Sequence, residues 1–231
     1  FMRNSRAPMG EYRGIGGVVP HAGWYFSGQT AFSVFYAIQK KVSPDLFFLL
    51  GRHLLPSGPD SIFFDDGFET PLGTLAVNRT ACEKLCDSFR FRKETAQSYT
   101  RDNTIELQLP FISYLFPDAS VVAMGIAPSD RARTIGERCA DLARELGLRT
   151  CFIGSTDLTH YGPNYGFMPK GTGPGSVRWV KEENDRRFVE VLLAGDPDGV
   201  LKEAEESQNA CCPGGAAAAV SAARRAGAEK G

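Results

Sequence analysis

The sequence predicts an α/β protein in which a central, mostly parallel or mixed sheet is flanked by helices. Short, wholly apolar runs such as DLFFLL and SVVAMG have the pattern of strands that are buried on both faces of a parallel sheet. Longer segments with helical periodicity lie between these runs, so strands and helices alternate along the chain. The 231 residues suffice for one α/β domain with a substantial core, and we expect residues 1–231 to form a single domain.

The individual elements follow from apolar periodicity and from residues that begin or end helices. Strands are predicted at residues 14–20, 45–50, 75–77, 120–125 and 150–153, with a short one at SIFF inside a long loop, 54–73. Helices are predicted at residues 29–41, 79–89, 104–116, 130–146, 177–194, 197–207 and 216–226. Asn78 and Ser129 can cap their helices, Gly147 can close one, and Pro110 should end or kink another.

Composition excludes several classes of function. The formal net charge is −1, so no large basic field exists to hold nucleic acid or an anionic membrane. No apolar run approaches the roughly 20 residues that a membrane span needs. Residues 1–14 lack the continuous apolar core of a signal peptide, and we expect a cytoplasmic protein.

Four of the six cysteines are interpreted as core residues. Cys82 and Cys86 lie four apart on one face of a predicted helix, but no second Cys or His pair follows at a zinc-finger distance. Cys139 and Cys151 lie in apolar segments. We therefore expect all four to pack as small apolar side chains.

The three histidines, in contrast, all follow predicted strands. His21, His53 and His160 each follow an apolar run, and the carboxyl ends of parallel strands share one edge of a sheet. Two neutral imidazoles on neighbouring strand ends suit a divalent metal ion, which then needs a third ligand. Candidates for that ligand are Asp65, Asp66, Glu69, Glu106, Asp157 and Cys211.

The third ligand decides which metal fits. A carboxylate would complete the facial triad of non-haem iron enzymes, whereas a thiolate would favour zinc, copper(I) or iron. Cys211 and Cys212 precede a Pro-Gly-Gly turn and a helix, whose start lowers thiol pKa values. The alternatives are a buried pair in a turn and a strained vicinal disulfide.

His160 is the candidate acid/base residue. Asp157 lies three residues before it and could orient the imidazole, while Thr159 and Tyr161 could donate hydrogen bonds to a substrate oxygen. In the alternative interpretation Asp157 only caps a helical turn and His160 packs against it.

Six motifs together resemble one family. VVPHAGWYFSG, LGRH, ETPLGTLAVN, DNTIELQLPF, GSTDLTHYG and NACCPGG occur in the order typical of the MEMO-like family, of the AmmeMemoRadiSam system protein B type. The resemblance covers residues 18–220 and implies the fold of class III extradiol ring-cleaving dioxygenases. It also implies a metal site of His21, His53 and Cys211, with iron or copper as the ion (or zinc), and His160 with Asp157 as the acid/base pair. Association with a radical SAM protein and an AMMECR1-type protein is implied as well.

The chain departs from the family pattern at several places, three of which lie in the predicted site. Gly51-Arg52-His53 stands where the family usually has G-P-S-H-H or G-P-N-H. Asp102-Asn103-Thr104 replaces a frequent E-H-S, which removes a histidine. Cys212 replaces the glycine that follows the family's cysteine.

Three functions are consistent with these residues. The first is a metal-dependent oxidoreductase with a His-His-Cys centre. The second is a non-catalytic module that binds a peptide or a small anion in a degenerate dioxygenase-like cleft. The third is a true extradiol dioxygenase, which needs iron(II) and a carboxylate ligand from Asp65, Asp66 or Glu69.

Overall fold

The structure, a computed structural model, describes residues 15–229, and the segment on which the signal-peptide expectation rests lies outside them. The strands in this part of the chain are β1 Ile15–Val19, β2 Leu46–Gly51, β3 Ser61–Phe63, β4 Gly67–Thr70, β5 Gly73–Ala76, β6 Arg92–Glu94, β7 Ser120–Gly125 and β8 Thr150–Ser155. The helices are α1 Trp24–Gln39, α2 Arg79–Ser88, α3 Asn103–Glu106, α4 Leu109–Leu115, α5 Arg131–Glu145, α6 Pro174–Trp179, α7 Asp185–Ala194, α8 Pro197–Ser207 and α9 Pro213–Arg225. A π-helical turn, Val180–Asn184, joins α6 to α7.

Six strands form one mixed, mostly parallel sheet in the order β1-β8-β2-β7-β3-β6, and β4 and β5 form a separate antiparallel hairpin. All pairs in the large sheet are parallel except β3 with β7. Helices flank this sheet, which confirms the predicted fold class. No helix within residues 15–229 is long and apolar enough to cross a membrane.

The middle of the sheet is the core of the protein. Strands β2 and β8 are neighbours, and every residue of both is buried. The rings of Phe48 and Phe152 stack across the two strands with their centroids 5.5 Å apart. This central position explains their mostly apolar sequences, from which buried strands were predicted.

The glycines at the start of α9 bring this helix onto the strand ends. A Cβ atom added to Gly215 would lie 2.4 Å from the carbonyl oxygen of Leu50, and one added to Gly154 would lie 2.8 Å from Cα of Ala216. Such close approach requires that both positions lack a side chain. The residues just before α9, Cys211 and Cys212, are thereby held near the carboxyl ends of β2 and β8.

Several predicted helices differ from the observed ones, among them residues 177–194, which the π-helical turn interrupts. Helix α1 begins at Trp24 and not at residue 29. The first turn was missed because Tyr25 and Phe26 are exposed there, so these residues do not continue the apolar stripe of the helix. The helix predicted at residues 104–116 is divided into α3 and α4. Pro110 lies in the first turn of α4, where its missing N–H is tolerated, so the predicted break is confirmed.

The helix-end predictions succeeded in two of three cases. The side chain of Asn78 accepts a hydrogen bond from the amide of Ala81 at 3.0 Å, which confirms it as a cap. Gly147 follows α5 with a φ of 64°, as expected for a closing glycine. The prediction for Ser129 was wrong, because only its backbone carbonyl accepts the amide of Ala132.

Strands β4 and β6 were not predicted. The sequence of β6 is Arg-Lys-Glu, which has no apolar pattern. It joins the sheet because the buried carboxylate of Glu94 binds Arg52 at 2.8 Å and Arg92 at 2.7 Å. Ion pairing thus replaces the apolar burial that usually marks a strand.

Candidate metal centre

The main chain at His21 is fixed on both sides. Its amide donates to Oδ1 of Asp157 at 2.6 Å, and its carbonyl accepts from Nδ2 of Asn103 at 2.8 Å. The side chain is buried, with 1% of its surface exposed. His21 follows β1 directly, so the end of a rigid strand and two hydrogen bonds determine where the ring lies.

The hydrogen bonds of Ser155 determine which nitrogen of His21 is free. The Ser155 hydroxyl donates to the carbonyl of Thr104 at 2.7 Å and lies 3.0 Å from Nδ1 of His21. A hydroxyl has one proton, so Nδ1–H of the imidazole must donate to Ser155. In the neutral ring, which is the form that binds a metal ion, the lone pair is then on Nε2, and this atom lies 3.2 Å from Sγ of Cys211.

The backbone before His53 is in a rare conformation. Arg52 has a φ of 76°, in the left-handed region, which costs a non-glycine residue about 1–3 kcal/mol. Its amide donates to Oγ1 of Thr104 at 2.9 Å, and its buried guanidinium donates to Glu94 and to the carbonyl of Thr100, both at 2.8 Å. These hydrogen bonds stabilise the strained conformation of Arg52. The backbone turn at Arg52 places His53 beside the other predicted ligands.

Asp102 orients His53 in turn. Its Oδ2 atom lies 3.1 Å from the amide nitrogen and 3.3 Å from Nδ1 of His53. The bond to Asp102, followed by that to Cys211, raises the pKa of His53 to about 10. Burial opposes the charge of Asp102, but hydrogen bonds from His53 and Thr104 outweigh it and lower the pKa of the carboxyl.

Cys211 is held by its neighbours across the cleft. Its amide donates to the carbonyl of Asp157 at 3.2 Å, and the amide of Asp157 donates back to Sγ of Cys211 at 3.2 Å. The hydrogen bond with Cys212 lowers the pKa of Cys211, and contacts with His21 and His53 add to this effect, which outweighs that of burial. The same bond to Cys211, together with burial, raises the pKa of Cys212. Both are free thiols 3.7 Å apart, so the vicinal disulfide is absent from this structure.

The predicted ligands meet in one place, and a fourth joins them. His21, His53, Cys211 and Cys212 each offer one ligand atom, and these atoms all lie within 4.8 Å of one another. The two imidazole rings are nearly perpendicular, with centroids 5.1 Å apart. The structure therefore brings together the three predicted ligands and adds Cys212.

Asp157 and His160 form the side of the cleft next to Cys211. Oδ2 of Asp157 lies 3.6 Å from Nε2 of His160 and 3.8 Å from Nε2 of His21. Its Oδ1 atom accepts from the amides of His21 and Ala22, so Asp157 does not cap a helical turn. The ring of His160 lies against Tyr165, with centroids 4.7 Å apart.

The two hydroxyls near His160 have partners within the protein. The Thr159 hydroxyl donates to Asp185 at 2.5 Å and accepts from the buried side chain of Asn184 at 2.9 Å, in the π-helical turn. The Tyr161 hydroxyl donates to the carbonyl of Gly171 at 2.8 Å. These bonds fix the loop that carries His160, and contact of the two hydroxyls with a substrate oxygen stays a prediction.

The remaining carboxylate candidates lie elsewhere. Within residues 15–229, the groups of close ligand atoms include Asp157 but none of the other four acidic candidates, Asp65, Asp66, Glu69 and Glu106. Asp65 accepts the amide of Ala96, and Asp66 is 99% exposed. The structure therefore offers no carboxylate from this set to a facial triad.

The cysteines interpreted as core residues fit that interpretation. Cys82, Cys139 and Cys151 are buried, and Cys86 is half-buried. Burial raises the pKa of Cys82 to about 12, so its thiol stays protonated and unreactive near neutral pH.

Sequence reasoning did not assign Asp102 or Cys212 a role. Asp102 opens the motif DNTIELQLPF, and its position just before a helix was the available signal. Cys212 was noted as a thiol beside Cys211, but adjacent residues usually point to opposite sides of an extended chain. Here the turn before α9 places both sulfur atoms in one cluster.

Comparison with known proteins agrees with the motifs in the sequence. A family model described as Memo-like protein matches residues 1–231. A MEMO1 family protein of Thermococcus onnurineus is 30% identical over 236 residues, which cover 99% of this chain and 81% of that protein. A MEMO1 family protein of Thermotoga neapolitana is 36% identical over 186 residues, 79% of this chain and 66% of that protein. The chain therefore belongs to the Memo-like protein family.

Proposed function

We propose that this protein binds an iron or copper ion through His21, His53 and Cys211 and takes part in redox chemistry there. The observation that carries the proposal is the convergence of their ligand atoms within 4.8 Å. Each imidazole also has a partner for its other nitrogen, Ser155 for His21 and Asp102 for His53. Metal-binding histidines almost always have such a second hydrogen bond, because it fixes the ring and its tautomer.

The chemistry of the donor set fits these ions. Imidazole nitrogens suit iron, copper and zinc, and a thiolate favours softer ions such as copper(I). The low pKa of Cys211 supplies this thiolate near neutral pH. Iron or copper held here would supply one-electron oxidation and reduction, whereas zinc, which fits the same donors, would not.

Asp157 and His160 are placed to handle a proton beside this cluster. The amide of Asp157 stabilises the Cys211 thiolate, while its carboxylate lies within 4 Å of both His160 and His21. The side chain of His160 is 37% exposed and can therefore exchange protons with solvent. We propose that His160 is the acid/base residue and that Asp157 orients it.

Metal analysis of purified variants tests this function. The protein is reduced, incubated anaerobically with iron(II) or copper(I), desalted, and analysed by elemental mass spectrometry. We expect about one ion per chain in the wild type, and loss of that ion in His21→Ala and Cys211→Ser. His160→Ala should keep the ion, whereas an ion held by the second group of close ligand atoms, Asp157, His160 and Cys211, would be lost in this variant.

Cys139→Ala is the matched control, since this buried thiol lies in α5, away from the cluster. It should bind as much metal as the wild type. Retention of a full equivalent of metal by His21→Ala, or absence of metal from the reconstituted wild type, contradicts the proposal.

Exposed apolar residues favour a second candidate, a non-catalytic module that binds a peptide. Tyr25 and Phe26, 93% and 80% exposed, follow His21 at the start of α1, and Leu55, 74% exposed, follows His53. Saturable peptide binding by metal-free protein, weakened in Tyr25→Ala and unchanged in Tyr114→Ala, would support this candidate. Substrate turnover that depends on His160 would contradict it.

A further inference from the structure

Cys212 is the member of the cluster for which the proposed function has no use. We infer that Cys212 is a fourth metal ligand, which completes a four-coordinate His₂Cys₂ site in this protein. The inference rests on the proposed metal binding by His21, His53 and Cys211. To that proposal it adds a fourth ligand and therefore a coordination number of four. Its sulfur lies within 4.8 Å of all three other ligand atoms.

The distances agree with one ion held by both sulfur atoms. Two thiolates bound tetrahedrally at about 2.3 Å from an ion such as zinc lie about 3.8 Å apart, and a thiolate and an imidazole nitrogen about 3.6 Å apart. The two sulfur atoms of Cys211 and Cys212 are 3.7 Å apart. Sγ of Cys211 and Nε2 of His21 are 3.2 Å apart. These two distances lie within about half an ångström of the tetrahedral values, and the remaining pairs of ligand atoms lie within 4.8 Å of each other.

The main chain keeps the Cys212 sulfur in the cluster. The amide of Cys212 donates to Oγ1 of Thr156 at 3.0 Å, and Pro213 begins α9 directly afterwards. Gly215 seats this helix against the carbonyl of Leu50. Only 2% of Cys212 is exposed, so its thiol faces the other ligands and not the solvent.

The arrangement also accounts for two thiols in one buried turn. In this structure a hydrogen bond 3.7 Å long joins the two sulfur atoms. A bound cation attracts a second thiolate strongly, because a coordinated thiol loses its proton. The pair then supplies two negative charges to a site whose histidine ligands are neutral.

Four protein ligands have a chemical consequence. Catalytic metal sites usually have three protein ligands and an open position, whereas four ligands close the site. An ion bound by His₂Cys₂ has no free position for an external ligand until one protein ligand leaves. Reaction partners of this site would therefore exchange electrons with the ion without binding to it directly, or would have to displace Cys212.

Cobalt(II) reports on the number of thiolates. Its near-ultraviolet charge-transfer absorption grows with each sulfur ligand, and its visible bands are intense when four ligands surround it. We would titrate reduced wild-type protein, Cys212→Ala, Cys212→Ser and the control Cys139→Ala with cobalt(II). The charge-transfer absorption per bound ion should fall to about half in both Cys212 variants and stay unchanged in Cys139→Ala.

Azide then tests for an open position. It should change the visible cobalt spectrum of Cys212→Ala at concentrations that leave the wild-type spectrum unchanged. Full charge-transfer absorption in Cys212→Ala, or an equal response of the wild type to azide, overturns the inference. Metal binding that is lost in Cys211→Ser but spectrally unaffected by Cys212→Ala would overturn it while leaving the proposed function intact.

Failure of the wild type to bind cobalt(II), copper(I) or iron(II) would overturn both proposals. If the Cys212 variants do not fold, as circular dichroism would show, X-ray absorption of the metal-loaded wild type decides. Two sulfur neighbours per ion support the inference, and one sulfur neighbour overturns it.

Discussion

At the residue scale, the hydroxyl of Ser155 makes His21 a suitable metal ligand. This hydroxyl donates its only proton to the carbonyl of Thr104, and it therefore accepts a hydrogen bond from Nδ1–H of His21. In the neutral ring the lone pair is then on Nε2, which lies 3.2 Å from Sγ of Cys211. The affinity of the site thus depends on a residue that does not itself touch the ion.

Ser155→Ala tests this role. The change removes the hydrogen-bond acceptor for Nδ1–H of His21 and the donor for the carbonyl of Thr104. Because the His21 ring is then less well oriented, we expect metal affinity to fall about 10- to 100-fold. Stability should fall by about 1–3 kcal/mol because buried polar groups lose their partners. Competition titration against a chelator and urea unfolding measure the two effects.

Ser221→Ala is the matched control. Ser221 is also buried and donates to a backbone carbonyl, that of Arg133, at 2.9 Å. We expect this variant to lose stability but to keep its metal affinity. Equal affinities of Ser155→Ala and Ser221→Ala would show that Ser155 has no specific role in the site.

His53 predicts how metal binding depends on pH. In the metal-free protein Asp102, and then Cys211, raise its pKa from 6.5 to about 10. Only a neutral imidazole binds a metal ion, so below pH 10 an ion must displace this proton. Affinity should therefore increase between pH 6.5 and 10, by about tenfold per pH unit for each proton displaced.

Chelator competition at pH 7, 8 and 9, corrected for protonation of the chelator, measures this slope. In Asp102→Asn the largest cause of the raised pKa is removed, so the increase should level off at a lower pH. Asp66→Asn, which changes an exposed carboxylate, should behave as the wild type. An affinity that does not change across this range contradicts the assigned charge of His53.

At the scale of elements, the position of α9 against the sheet determines the position of both thiols. A Cβ atom at Gly215 would lie 2.4 Å from the carbonyl oxygen of Leu50, which is backbone and cannot move aside easily. Gly215→Ala should therefore push the start of α9 away from β2. We expect a loss of about 1–3 kcal/mol in unfolding free energy and weaker metal binding.

Gly175→Ala is the control for this substitution. Gly175 also lies in the first turn of a helix, α6, but no atom within 4 Å would meet its added Cβ. Urea unfolding and metal titration should show little change in this variant. Wild-type metal affinity in Gly215→Ala would contradict the role given to α9.

The elements that were predictable are those with an apolar pattern or a distinctive end. The strands before His21, His53 and His160 are apolar, so the sequence placed each histidine at a strand end. The π-helical turn was hidden because apolar periodicity continues through residues 177–194. It is tied to the site by the buried side chain of Asn184, which binds Thr159, and sequence patterns do not show such a bond.

Asp102 was harder to predict, since its role depends on several distant contacts. It meets His53 because Thr104 holds the amide of Arg52, and because the Arg52 side chain is anchored to Glu94 of β6. β6 has no apolar pattern. It pairs with β3, and not with β5 or β7, which come directly before and after it along the chain. Polar contacts between segments far apart in the chain therefore determine the outer part of the site.

At the scale of the whole molecule, the site joins segments that are far apart in the sequence. Its ligands follow β1, follow β2 and precede α9, so an ion bound there would link the first two strands of the sheet to the last helix of the described chain. The unfolded chain has no such preformed site, and metal binding should therefore stabilise the fold.

Thermal unfolding with and without copper(I) measures this effect. At a free metal concentration 100 times the dissociation constant, the gain is about 2.7 kcal/mol, or about 5–10 °C in Tm for a protein of this size. Cys139→Ala should show the same gain and Cys211→Ser should not. A Tm of the wild type that is unchanged by metal contradicts a site that spans the fold.

An anomalous difference map from crystals of the copper-loaded protein tests the central claim most directly. We predict a single strong peak within bonding distance of Nε2 of His21, a ring nitrogen of His53 and Sγ of Cys211, and no such peak in crystals of Cys211→Ser. A peak at other residues, or no peak in crystals soaked with excess copper(I) under reducing conditions, would contradict the account.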